Sequence, residues 1–224
     1  MKRSKINELL REALEFFASH RFVLPPWGYW TPQQWRDHRR DVAGPIAARL
    51  GWDVTDFGSG QFPRVGLLLF TLRNSHAGAP RPYCEKIMIV RDGQVTPWHY
   101  HQQKMEDIIN RGGADLVLQV AATDSNGRKS PENVTVMVDA MPRTLASGQE
   151  IVLRPGQSIC MERGVSHCFF GRQGTVLVGE VSTVNDDMTD NYFFEPAGRF
   201  PKIDEDEPAL HPLVCDYEAM AGPA

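Results

Sequence analysis

Residues 93–113 read GQVTPWHYHQQKMEDIINRGG and set His99, His101 and Glu106 within eight positions. In an extended strand successive side chains alternate between faces, so His99 and His101 project from one face and Trp98 and Tyr100 from the other. Two imidazoles and a carboxylate offer nitrogen and oxygen donors with no thiolate, a set that suits a divalent first-row metal. A fourth donor has to come from elsewhere in the chain.

The elements that must hold these groups begin at Val65, where short β-rich runs alternate with turn residues. Strands are predicted at 65–73, 83–90, 94–101, 115–122, 134–139, 150–154, 158–161, 166–170 and 175–183, with the sharpest turns at Asp92-Gly93 and Pro155-Gly156. Strands at this spacing predict an all-β sandwich or barrel. Ahead of them, Ile6, Leu9, Leu10, Ala13, Leu14 and Phe17 recur at helical spacing behind Ser4, which predicts a capped amphipathic helix over 5–19. Thr31-Pro32-Gln33-Gln34 is a capping-box start for a helix to about Arg40, and a further short helix spans 45–50 before Gly51. Trp27, Tyr29, Trp30 and Trp35 read either as a plug between helices and barrel or, with Trp30 as the first candidate, as a wall against the C–H face of a sugar. The whole chain, 1–224, reads as one domain: helical decoration over 1–51, a barrel over 65–195 and a C-terminal arm over 196–224. The acidic run Asp204–Glu207 in that arm reads as a solvated surface segment.

A chain of 224 residues, 42% hydrophobic and 23% charged, is long enough to bury one substantial core. Its net charge of −4 provides no basic field for nucleic acid or an anionic membrane, so neither partner is expected. Glu8, Glu12 and Glu15 interrupt the apolar positions near the N-terminus, unlike a signal sequence, and a cytoplasmic protein is expected. The four cysteines show no C-x-x-C spacing and read as free thiols without a chemical role.

Residues 93–113 and the later stretch from Gly156 through Glu162, Gly164 and His167 to Gly171 together resemble the paired motifs of the cupin superfamily. Every named position of the first motif is met. The second carries Glu162 where proline is usual and Gly171 where asparagine is usual, neither of them a ligand position. The resemblance implies a double-stranded β-helix, or jelly roll, with a helical N-terminal extension, and implies His167 as the fourth ligand. The wider strings WDVTDFGSG (52–60), GLLLFTLRN (66–74), EKIMIVRDGQVTPWHYHQQKMEDIINRGG (85–113) and VGEVSTVNDDMTDN (178–191) are similar to the cupin-type D-lyxose isomerases. That likeness implies a manganese ion, replaceable by cobalt, zinc, iron or nickel, on His99, His101, Glu106 and His167. It also implies interconversion of D-lyxose with D-xylulose and of D-mannose with D-fructose, and a homodimer. Trp98 stands where that family usually has methionine or a similar residue.

Moving hydrogen between C1 and C2 of a sugar through an enediol takes a Lewis acid for O1 and O2 and a base that reaches carbon. Glu180 interrupts the apolar run VLVGEV, where a buried carboxylate needs a partner or a role at the metal. In the resemblance Glu180, Lys104, Lys86 and Asp190 line the sugar site, with Glu180 as the base and Lys104 polarising the sugar oxygen, and Arg199 is a further, lesser candidate. Lys86 and Asp190 read equally well as surface charges. An Fe(II) dioxygenase would use similar ligands but would want few charges around the metal. A sugar-binding cupin without activity commonly lacks a ligand.

Overall fold

The computed structural model describes residues 1–75 and 79–221. Three helices, α1 (Arg3–Ser19), α2 (Pro32–Asp37) and α3 (Ala43–Ala47), precede eleven strands. These are β1 (Gly51–Thr55), β2 (Leu67–Arg73), β3 (Tyr83–Val90), β4 (Val95–Tyr100), β5 (Glu106–Ala122) and β6 (Val134–Val138), then β7 (Met141–Leu145), β8 (Glu150–Leu153), β9 (Ser158–Met161), β10 (Val165–Thr183) and β11 (Tyr192–Phe193). A last helix, α4, spans Tyr217–Ala221.

Two long strands organise the fold, because β5 and β10 pair antiparallel from end to end. The second half of β10 pairs with β3 and the first half of β5 with β9, which makes one layer in the order β1-β2-β3-β10-β5-β9-β6-β7. The first half of β10 pairs with β4 and the second half of β5 with β8, which makes the facing layer. This is the double-sheet jelly roll expected from the sequence. The ladder turns from one layer to the other at register shifts after Arg172 and Leu177. Glycine is required there: Gly113 has φ +88°, and a Cβ on it would collide with the carbonyl oxygen of Thr175. Asn110, fully buried, braces the bend by donating to Ala114 O (2.9 Å) and Leu153 O (2.8 Å).

Between the layers lies a core of Leu69, Met88, Leu118, Ile159, Phe169 and Val178. On the outer side of β1–β3, α1 buries Ile6, Leu10 and Phe17 against Trp52, Phe70 and Ile89. Each such side chain contributes roughly 1.5–3 kcal/mol when fully buried. The aromatic cluster is a plug: Trp27 stacks on Phe70 at 5.0 Å and Trp35 on Tyr217 at 5.1 Å.

The start of α1 differs from expectation. Lys2 is the N-cap and makes no side-chain cap, and Ser4 lies inside the helix. The cap comes from the acidic run, whose Asp206 accepts from Ser4 N (2.9 Å) and Ser4 Oγ (2.7 Å). Arg3, 2% exposed, bridges Glu205 (2.7 Å) and Asp216 (2.8 Å), and Asn7 donates to Glu207 (2.6 Å). Asp204, Glu205 and Asp206 are exposed, as expected of a solvated segment, and the run also places anions at the positive end of the helix dipole. Positions 222–224 of the arm lie outside the described residues.

Candidate metal centre

In the β4–β10 ladder His99 faces His167 directly, and in the β5–β10 ladder Glu106 faces Ser182. His101 follows the end of β4. The four residues are buried, and their ligand atoms all lie within 4.8 Å of one another. Tyr100, on the opposite face, stacks on Tyr192 at 5.0 Å, and Lys129 covers Trp98 at 3.9 Å.

Each imidazole has its Nδ1 against a main-chain carbonyl: His99 on Pro97 (2.8 Å), His101 on Asp190 (2.6 Å) and His167 on Val165 (3.4 Å). A carbonyl only accepts, so Nδ1 carries the proton and Nε2 of the neutral ring is left as a bare lone pair. These lone pairs face an anion. His167 Nε2 is 3.0 Å and His101 Nε2 3.4 Å from Glu106 Oε1, and none of the three atoms has a hydrogen-bond partner. Acceptors gathered around acceptors are stable when a cation lies among them, and two further features fit one. Burial, then His167 and His101, hold His99 well below its usual pKa. Burial pushes Glu106 up, but Lys104 and then His101 outweigh it and hold the carboxyl well below its usual range. Neutral imidazoles and an ionised carboxylate are the forms that bind metal, and the donor set fits a divalent first-row ion.

Asp190 shapes the segment between the ligands. Its carboxylate accepts from the backbone N–H of Gln102 (2.9 Å), Gln103 (3.0 Å) and Lys104 (2.8 Å), while its own carbonyl takes the His101 proton. It thus orients the ligand loop and does not line the pocket beside it. That pocket combines apolar walls, Leu67, Leu69, Met88, Ile108, Phe169 and Phe193, with Lys86, Lys104, Glu180, Asp187, Asn191 and Arg199. Trp30 is remote from it, stacked on His38 at 4.5 Å beside Trp35.

The charges in the pocket alternate in sign. Lys104 Nζ lies 2.6 Å from Glu106, 3.0 Å from Glu180 and 3.2 Å from Asn185. Lys86, directly across from Glu180 in the β3–β10 ladder, lies 3.4 Å from Glu180, 3.4 Å from Asp187 and 2.8 Å from Asn185. Arg199 bridges Asp187 (3.0 Å) and Asp53. Burial opposes charge on both lysines; Glu106 and Glu180 outweigh it for Lys104, and Asp187 and Glu180 for Lys86, so both ammoniums are held above their usual pKa. Burial likewise opposes the Asp187 carboxylate, which Lys86 and Arg199 hold far below its usual range. At the far end burial opposes charge on both partners: it pushes the Asp53 carboxyl up, while for Arg199 the neighbouring Asp53 and Asp187 outweigh it and hold the guanidinium charged. The direct guanidinium–carboxylate contact keeps the pair ionised at neutral pH.

Asp53, Asn185 and Asp187 were not singled out from sequence. Asp187 sits in the acid-rich stretch VNDDMTD, which looks like surface. Asp53 carried a usable signal, a carboxylate inside the apolar strand WDV, the same pattern that marks Glu180.

A sequence model of the D-lyxose isomerase family matches residues 1–217. The D-lyxose/D-mannose isomerase of Escherichia coli O157:H7 is 46% identical over 225 residues, spanning 97% of this chain and 98% of its own. That of Serratia proteamaculans is 44% identical with the same coverage. Among solved structures, L-ribose isomerase of Cellulomonas parahominis with L-ribose superposes with a TM-score of 0.61 over 91% of this chain and 98% of that one. At 22% identity that likeness speaks to the fold alone.

Proposed function

Because the chain belongs to the D-lyxose isomerase family, we propose that it interconverts D-lyxose with D-xylulose, and D-mannose with D-fructose, by proton transfer through a cis-enediol. The observation that carries the reading is the buried cluster of bare acceptors set beside a carboxylate held by two ammoniums. His99, His101, Glu106 and His167 would hold a divalent ion, manganese first, which when bound supplies Lewis acidity toward the oxygens at C1 and C2.

Glu180 is the base. Its Oε1 is occupied by Lys104 (3.0 Å), Lys86 (3.4 Å) and Ser182 Oγ (3.3 Å), which fixes the carboxylate and leaves Oε2 to meet carbon. It takes the proton from C2 of the aldose and returns it to C1, while the hydroxyl proton at O2 passes to O1, so atoms and charge balance. Lys104 has three N–H groups and three protein acceptors; the sugar oxygen replaces Asn185, the longest of them, and is polarised there. Lys86, Asn191 and Arg199 bind the remaining hydroxyls, and Asp190 acts through the ligand loop. The density of charge around the cluster disfavours a dioxygenase, and the full ligand set disfavours a purely binding cupin. The protein is further expected to act as a cytoplasmic homodimer, which sedimentation and cell fractionation check.

Purified protein reloaded with manganese should form ketose from D-lyxose and D-mannose without oxygen. In D2O, NMR of the recovered sugar should show deuterium at the carbon that received the proton. No ketose from either aldose would reject the activity. Ketose without deuterium, together with intact label in a mixed-isotope crossover, would reject the enediol path in favour of a hydride shift.

A further inference from the structure

The pocket ends on Arg199, but the alternating charges do not. Beyond Arg199 lies Asp53, in the middle of β1, 1% exposed and across the ladder from Leu69. A carboxylate at such a site is costly unless it is paired and hydrogen-bonded. One of its oxygens pairs with Arg199, while Oδ1 has no protein partner, and neither has Arg199 Nε. Asp53 lines a separate polar cavity of about 50 Å³ shared with Thr71, Asn74, Asn185, Asp187 and Arg199. That is room for the water a buried carboxylate oxygen requires, since one water needs roughly 10–15 Å³. Arg199 and Asp187 line both this cavity and the sugar pocket, and so form the wall between them.

We infer that Asp53 is a positioning residue for the reaction, acting from behind the wall by holding the Arg199 guanidinium at the pocket edge. Arg199 has two carboxylate partners on different segments, Asp53 on β1 and Asp187 after β10. With Asp53 neutral, the guanidinium has only Asp187 left as an ionic partner and moves onto it. Asp187 then competes less well for Lys86, which leans on Glu180 instead. Asp53 touches neither the sugar pocket nor the metal ligands, so its influence on turnover passes through Arg199. The inference rests on the proposed isomerase for its kinetic consequences, but not for its structural one.

The test combines crystal structures with kinetics of Asp53→Asn, Arg199→Met and the double variant, with Asp53→Thr standing in if the asparagine variant does not fold. Asp53→Asn is expected to displace the Arg199 side chain in the crystal and to leave bound manganese unchanged. Its kcat/KM for D-lyxose is expected to fall about 10- to 100-fold, mainly through KM, as a misplaced contact group produces. In the Arg199→Met background the same substitution should have no further effect, because the two act as one unit. A purely structural Asp53 would give additive losses. Additive losses, an Arg199 unmoved in Asp53→Asn, or kcat/KM within twofold of wild type would each overturn the inference. If wild type itself forms no ketose, the isomerase reading fails while the crystallographic arm still decides whether Asp53 positions Arg199.

Discussion

Replacing Glu180 by glutamine keeps the shape of the side chain and removes its charge, which isolates the role of the carboxylate. Two ammoniums share its Oε1, Lys104 at 3.0 Å and Lys86 at 3.4 Å. At an effective dielectric constant of about 20 each contact represents roughly 5 kcal/mol of gross attraction. Little of that should appear as lost stability. Lys104 keeps Glu106 at 2.6 Å, Lys86 keeps Asp187 at 3.4 Å, and both keep Asn185. A net loss of about 1–3 kcal/mol is expected, or a melting-point drop of roughly 2–12 °C for a chain of this size. Metal content should be unchanged, since no ligand is altered. Turnover is where the charge matters: loss of a general base lowers kcat by about 10²- to 10⁴-fold, or roughly 3–5 kcal/mol of barrier. The assay is kcat and KM for D-lyxose on protein whose metal is quantified in the same sample. A kcat near wild type at full metal occupancy would refute the assignment. A fall in kcat that tracked a fall in metal would reassign Glu180 to supporting the ligand set.

His167→Ala should lose bound metal and activity together, read by elemental analysis; full occupancy would remove the second motif from the site. Gly113→Ala should cost about 2–3 kcal/mol, because it adds a positive-φ penalty and a clash with the Thr175 carbonyl. Gly148→Ala, also at positive φ but with open space around its Cβ, should cost less in the same thermal melt. Glu205 and Asp206 are held below their ordinary values of 4.5 and 3.8, Glu205 first by its bond from Arg3 and Asp206 first by the Ser4 N–H. Depressed folded-state values stabilise fully above those ordinary values and lose their effect as pH falls through the lower ones. The start of α1 should therefore loosen below about pH 4. Hydrogen exchange of residues 3–10 would show it, and an Asp206→Asn variant should already be loose at neutral pH.

The clustering of His99 with His101 and the layered fold were legible from short-range pattern, since alternation puts the two histidines on one face and turn residues mark the strand ends, whereas His167 was reached only through the resemblance to the paired cupin motifs. What was not legible depends on pairing across the chain. The first half of β5, EDIINRGGAD, is largely polar and carries two adjacent glycines, so it reads as a loop, yet those glycines are where the strand bends between layers. β7, with Pro142 and mostly exposed side chains, has the composition of a connection and is a strand because β6 pairs with it. β1 and the two-residue β11 were likewise invisible without their partners, and predicted strands 166–170 and 175–183 are one strand through the bend at 171–174. Glu180 was legible as a carboxylate out of place in an apolar run. Asp53 obeys the same rule, but only the pairing of β1 with β2 reveals the strand that buries it.

The clasp between α1 and residues 205–216 has a consequence for synthesis. Arg3, Ser4 and Asn7 find their partners some two hundred residues later, at Glu205, Asp206, Glu207 and Asp216. On the ribosome, α1 is thus made without its cap and with its apolar face uncovered until β1–β3 follow. Its first turn stays unsealed until residues 205–216 have left the exit tunnel. Contacts this distant in sequence close slowly, because the loop entropy is lost before the contact forms. During that interval the exposed stripe of Ile6, Leu10 and Phe17 is the surface that a chaperone would hold or that aggregation would exploit.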